Sequence, residues 1–340
     1  MSTQNILKGF VLPGLVQPLL SPEANPGYGR LREAFAKVRA EIELLNPDVL
    51  MIYSSMWPSI LGHQIQARKE ITWTHVDEEF HELGSIPYTF KIDDLLAKEY
   101  VAAGIQRGLQ MRATDYHGFP IDTGSVVALK LLNADNRWPA IIVSSNIYSD
   151  RAETVVLGKA ALDALTTQKK KAVAIIISTL SNRLHSQVID PQADKIHSLK
   201  DQEWNLKIIE FLQKGRLEDV AQLSRQIHRE ARVKKVNNFK PFWWLSSVMG
   251  AHNRYQGEIL AYEPVYGTGC AVIGLTPAQA SSRDLEFDED SPDVFVGERN
   301  VLAASADAKS EMSSQTLNPG LESGFEPGFE PGFKPGYTDE

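Results

Sequence analysis

The sequence holds one cysteine, Cys270, in 340 residues. That excludes an internal disulfide and any cysteine-built zinc site, and it fits a reducing compartment, so a cytoplasmic location is expected. No stretch approaches the ~20 apolar residues of a membrane-spanning helix. Near the N-terminus only Lys8 precedes Gly9-Phe10-Val11-Leu12, and Pro13, Gly14 and Gln17 interrupt the apolar run, so a signal peptide is not expected. Basic charge is scarce. The 35 Lys and Arg stand against 43 Asp and Glu for a net charge of -8, and outside Lys169-Lys170-Lys171 and residues 229–235 the cations are scattered, which argues against nucleic acid as a partner. Phosphate-cradling glycine loops and a serine nucleophile elbow are also missing, since Gly267-Thr268-Gly269 is too short to serve.

What is present is ordinary globular composition, 43% hydrophobic, enough for one large or two medium cores. The organising stretch is residues 48–66. Val49, Leu50, Met51, Ile52 and Tyr53 form a short apolar run without helical period, which predicts a strand covered on both faces. Ser54, Ser55, Met56 and Trp57 follow at its carboxyl end, the end at which open α/β sheets bind ligands. A helix is expected to open near Pro58 and to carry His63.

Around this stretch, residues 6–15 predict a first strand and residues 30–45 an amphipathic helix, with Leu31, Phe35, Val38, Ile42 and Leu45 three and four apart. Asn46-Pro47-Asp48 breaks that helix, so the opening reads as a β-α-β unit with a parallel strand pair. Residues 67–87 predict a long irregular loop covering a site. Further helices are expected over 93–108, 125–132, 153–166, 201–232 with a break at Lys214-Gly215, and 239–249. Strands are expected over 111–116, 140–144, 172–178, 257–266 and 269–275. The fold class is α/β: one sandwich domain, residues 1–276, with a mostly parallel or mixed central sheet flanked by helices. Residues 277–340 turn polar and end in repeats of Gly-Phe-Glu-Pro, a composition that predicts a disordered or extended tail, either docking a partner or dispensable.

The candidate chemistry is sparse. Among eight histidines, His75 and His81 with Asp77 could supply two imidazoles and a carboxylate to a metal, although a charged surface loop yields the same letters. His117, in Asp115-Tyr116-His117-Gly118-Phe119, suits either a substrate contact or a structural role. Tyr53, Trp57, His63 and His117 are the substrate-pocket candidates, and Asn182 follows the apolar strand 172–178 at a second sheet-end position.

LPGLVQPLL near the start, YSSMWPSILGHQ, YHGFPIDTG, ISTLSNRLH and FWWLSSVMG, in this order, resemble the class III extradiol ring-cleavage dioxygenase superfamily. The likeness covers about residues 6–275 and is nearest to the non-catalytic alpha subunits of its aminophenol-cleaving members. The resemblance implies Fe(II) held by two histidines and a glutamate, with a further histidine as acid–base. At the matching positions this chain has Gln17, Met56, Lys240-Pro241 and Asn182. A thioether, an amide and a cation or proline are not a facial triad, and Asn182 does not titrate.

The resemblance therefore implies an iron-free subunit of an aromatic ring-cleaving dioxygenase of 2-aminophenol or catechol type. Such a chain has no cofactor of its own, and the Fe(II) is expected in a homologous catalytic partner. A small aromatic ligand is a further expectation. Two alternatives stand beside this one. The chain could be an enzyme with a site rebuilt around His63, His117 and the loop from His75 to His81, acting on an aromatic or heteroaromatic substrate, or a stand-alone binding module that uses its repeat tail.

Overall fold

The computed structural model describes residues 5–221, 239–250, 255–278 and 293–295. His228, His252, the basic run 229–235, residues 222–232 of the expected helix 201–232 and the tail repeats lie outside the described residues.

The chain starts with β1 (Ile6–Leu12), a short helix α1 (Gln17–Leu20) and the long α2 (Pro26–Leu45). Asn25 caps α2, its side chain accepting from Gly27 N at 2.6 Å, and Pro26 occupies the first turn, where its missing N–H costs nothing. Asn46 ends it in the left-handed region at φ 44°, a conformation asparagine tolerates, and Pro47 prevents its continuation. Leu31, Phe35, Val38 and Ile42 are fully buried on one face of α2. Each contributes about 1.5–3 kcal/mol of apolar burial.

There follow β2 (Val49–Ser59), β3 (His63–Gln66), β4 (Glu70–Val76), β5 (Ser85–Lys91), α3 (Asp94–Gln106), β6 (Met111–Thr114) and α4 (Thr123–Leu132). Then come β7 (Ala140–Asn146), α5 (Arg151–Gln168), β8 (Ala172–Ile177), α6 (Leu199–Gln213), α7 (Lys240–Met249), β9 (Tyr255–Val265) and β10 (Thr268–Pro277). Eight strands form one mixed sheet in the order β6-β3-β7-β2-β8-β1-β10-β9, and β4 and β5 form a separate antiparallel pair. The pairs β1/β8, β8/β2, β2/β7 and β3/β6 are parallel, whereas β3/β7, β1/β10 and β10/β9 are antiparallel.

Alternation across the central strands builds two cores. Val49, Met51 and Tyr53 of β2, with Ala172, Ala174 and Ile176 of β8, face α3, α5, α6 and α7. Leu50, Ile52 and Trp57, with Val173, Ile175 and Ile177, face α2, α4 and the β4/β5 hairpin. The expected α/β sandwich is thus observed, with a mixed sheet.

Several local expectations are corrected. The first two strands are parallel but not neighbours, because β8 lies between them; AVAIII, apolar on both faces, takes the most covered position. No helix opens at Pro58: β2 continues to Ser59 through a register shift against β7 between Ser54 and Pro58, an irregularity at which proline is tolerated. His63 begins a strand rather than lying on a helix, after a turn at Gly62 with φ 73°.

Residues 67–87 are not an irregular loop but largely a hairpin. Ile71, Ile86, Tyr88 and Phe90 point inward with period two, and the charged residues between them sit on the outer positions and at the turn. Within the segment expected to lack structure, Asp293 and Phe295 engage α3 and α5: Arg107 Nη1 donates to Asp293 O at 2.7 Å, Phe295 N donates to Arg107 O at 2.8 Å, and Lys159 pairs with the Asp293 carboxylate at 2.7 Å.

Candidate functional site

A cleft of about 790 Å³ opens where β1, β2 and β8 leave the sheet at their carboxyl ends. Insertion of β8 between β1 and β2 creates this convergence, and chain ends that diverge around a central strand are where α/β sheets bind ligands. Gly14 and Leu15 come from the turn after β1, Ser55, Met56 and Trp57 from β2, and Ser178, Thr179 and Asn182 from the segment after β8. The β4/β5 hairpin and the start of α4 form the opposite wall, with His75, Asp77, Asp122 and Thr123.

The end of β2 is fixed on both sides. Ser55 Oγ donates to Ile177 O at 2.8 Å, tying it to β8, and Ser54 Oγ donates to Asp122 Oδ1 at 2.6 Å, tying it to the cap of α4. The same Asp122 oxygen accepts from Ser125 N at 3.0 Å, while Oδ2 is enclosed without a hydrogen-bond partner among the described residues. The Met56 thioether packs against Gly14, Gly124 and Ile177 so closely that a β-carbon on Gly14 would stand 2.5 Å from Sδ, and one on Gly124 2.8 Å. Trp57 meets Phe119 at 5.8 Å between centroids and 51° between planes.

Of the four positions where metal ligands or the acid–base group would be expected, Met56 and Asn182 line the cleft. Gln17 and Lys240-Pro241 do not. Gln17 is buried on α1 with its Oε1 unpartnered among the described residues. Lys240, fully buried in the first turn of α7 beside Pro241, donates from Nζ to Asn146 O at 2.7 Å and Ile147 O at 2.9 Å.

Among the pocket candidates, Trp57 lines the cleft and Tyr53, His63 and His117 do not. Tyr53 faces the opposite core, stacked on Trp244 at 5.6 Å and donating to Ser145 Oγ at 3.3 Å; burial pushes its phenol well above the usual range. His63, fully buried, meets Glu153 Oε1 through Nε2 at 3.1 Å. His117 is exposed. His75 and Asp77 line the cleft, but His81 does not, its side chain being 74% exposed. Among the described residues no group of three His, Cys, Asp or Glu is placed to hold a metal ion. The Met56 thioether and the Asn182 amide, at the two expected ligand positions that do line the cleft, are not the imidazole and carboxylate groups that Fe(II) uses.

Residues 15–273 match the family described as the catalytic LigB subunit of aromatic ring-opening dioxygenase. The chain belongs to the LigB family. Two of its curated relatives come from Pseudomonas sp. One is a 2-aminophenol 1,6-dioxygenase alpha subunit, 29% identical over 270 residues that cover 79% of this chain and 98% of the relative. The other is a 2-aminophenol 1,6-dioxygenase beta subunit, 29% identical over 291 residues, 80% of this chain and 94% of the relative. The crystal structure of an uncharacterized protein, JW3007, from Escherichia coli K12 superposes with a TM-score of 0.56 at 12% identity, over 79% of this chain and 99% of that one, which establishes a shared fold.

Asp122 and Thr123 line the cleft, and the letters alone did not single them out. A signal was available: Asp122-Thr123-Gly124-Ser125 is a helix-capping pattern, and helix starts at a sheet's carboxyl edge face the ligand side. No helix among the described residues is long and apolar enough to cross a membrane.

Proposed function

We propose that this LigB-family chain is the iron-free subunit of a two-subunit aromatic ring-opening dioxygenase and pairs with a homologous chain that carries the Fe(II). The observation that supports the proposal is that Met56 and Asn182, at two positions where the resemblance expects histidines, line the cleft and bring a thioether and an amide to it. Lys240, near the position where the resemblance expects the glutamate, is a buried cation turned to the backbone carbonyls at the end of β7. The two relatives carry the names of alpha and beta subunits of a 2-aminophenol 1,6-dioxygenase, which supports both a homologous partner and an aromatic substrate of aminophenol or catechol type for the assembly.

The test is metal analysis and activity on the chain alone and after co-expression with a homologous chain that keeps two histidines and a glutamate at the expected ligand positions. Ring-opening turnover and stoichiometric iron are expected only in the co-purified pair, with the iron lost when the partner's histidines are changed. Stoichiometric iron and ring opening of 2-aminophenol or catechol by this chain alone would refute the proposal.

A further inference from the structure

The two strands of the β4/β5 hairpin differ at their outer edges. Ile92 N donates to Lys69 O at 2.9 Å, one step beyond the Glu70 to Lys91 pair of the register. By the alternation of an antiparallel ladder, Ile71, Trp73 and His75 then turn their main-chain groups to β5, and Glu70, Thr72, Thr74 and Val76 turn theirs outward. Among the described residues no further strand pairs with β4, and the main-chain groups of Thr72 and Thr74 meet no partner on that side. The outer edge of β5 is guarded instead. Pro87 has no N–H to offer, its carbonyl accepts from Lys130 Nζ at 3.1 Å, and Thr89 O accepts from Asn136 Nδ2 at 2.6 Å.

An open strand edge is a template for another strand, and the residues of β4 specify which one. Laid antiparallel on a second β4 about a twofold axis at Trp73, Thr72 falls opposite Thr74 and Glu70 opposite Val76, so the outward main-chain groups meet as hydrogen-bonded pairs. A shift of one residue would set them against groups already bonded to β5. The same register brings together the two Trp73 side chains, each 44% exposed, as a cross-strand aromatic pair. Charge agrees with it. Arg68 and Lys69 precede the strand and Asp77, Glu78 and Glu79 follow it, so each basic end meets the acidic end of the other copy. Arg68, Lys69, Glu78 and Glu79 form no ion pair among the described residues.

We propose that the chain forms a twofold homodimer through the free edge of β4, which joins the two β4/β5 hairpins into one continuous antiparallel sheet. This goes beyond the subunit assignment, because the contact is between two copies of this chain and uses a strand that complements itself.

Sedimentation of the full-length chain on its own, over a range of concentrations, tests it, and a reversible monomer–dimer equilibrium is expected. Thr74→Pro removes an outward N–H without touching the β4/β5 ladder, and should weaken the dimer about tenfold or more while leaving the circular dichroism spectrum unchanged. Lys69→Glu should weaken it as well, and adding Glu78→Lys should recover part of the loss. Facing residues of a non-hydrogen-bonded pair lie within disulfide reach, so Trp73→Cys should yield a covalent dimer on mild oxidation. The wild-type chain, whose one cysteine is buried, should not. A chain that stays monomeric, a dimer that Thr74→Pro leaves intact, or a Trp73→Cys chain that cross-links only to the homologous catalytic chain would overturn the proposal. Co-purification with that catalytic chain and the iron content of the pair are read separately, so either proposal can fail alone.

Discussion

Met56 and Gly14 are in mutual contact at the point where β1 and β2 leave the sheet: a β-carbon on Gly14 would lie 2.5 Å from the Met56 sulfur. The thioether therefore fills the floor of the cleft, and glycine at position 14 is what lets it do so.

Gly14→Ala should destabilise the fold by about 1–3 kcal/mol, as overpacking does in a close-packed interior. Urea unfolding measures it. Adding Met56→Ala should restore only part of the loss, because the new methyl still meets Ile177 Cγ2 at 2.6 Å and Gly124 Cα at 2.8 Å. An unchanged midpoint in the single variant would show that the floor is not tightly packed.

His63 and Glu153 form a buried pair on the face of the sheet away from the cleft. His63→Ala removes one partner of that pair and opens a cavity, at a cost of about 3 kcal/mol or more. Urea unfolding measures the cost, and an unchanged midpoint would show that the pair does not hold this face of the sheet together.

Cys270 is fully buried in β10, and burial pushes its thiol well above the usual range, with Asp194 adding to the effect. Reaction with a disulfide reagent should be slow in the native chain and become stoichiometric in denaturant. Fast labelling of the folded protein would contradict this burial.

Desolvation pushes the phenols of Tyr28, Tyr53, Tyr88 and Tyr100 above their usual value, and that of Tyr262 up to about 12. Each stays protonated in the folded chain at a pH where the unfolded chain has begun to lose its proton, at about pH 10. The unfolded state then binds fewer protons, so the stability these groups contribute is complete below about pH 10 and falls above it. The slope is about 1.4 kcal/mol per pH unit for each such tyrosine. Urea midpoints measured from pH 9 to 12 should show the decline, and a flat profile would refute it.

Much of the fold was legible in the letters because its elements are locally consistent. The three- and four-residue spacing of α2, the double-faced apolar run of β8 and the closing hairpin of β9 and β10 each satisfy one period and one set of breakers. The β4/β5 hairpin escaped because His75, Asp77, Glu78 and Glu79 drew the eye to charge, while Ile71, Ile86, Tyr88 and Phe90 carried the period-two signal. Pro58 suggested a helix start and instead marks a strand irregularity, since proline fixes only φ and removes a donor, and both settings tolerate that.

The sequence by itself determined the α/β class with a central sheet flanked by helices, and the kinds of side chain at the four positions where iron chemistry would be sought, because these follow from local pattern and residue identity. Only the tertiary structure decided which of those positions share a cleft. Strand order is set by competition for the most covered place in the sheet, and β8 wins it, so Met56, Asn182 and Gly14 converge while His63 and Tyr53 turn to the other face. The hydrogen bond of His75 to Thr123, 48 positions away in sequence, was likewise decided by the tertiary fold, since no local pattern encodes it.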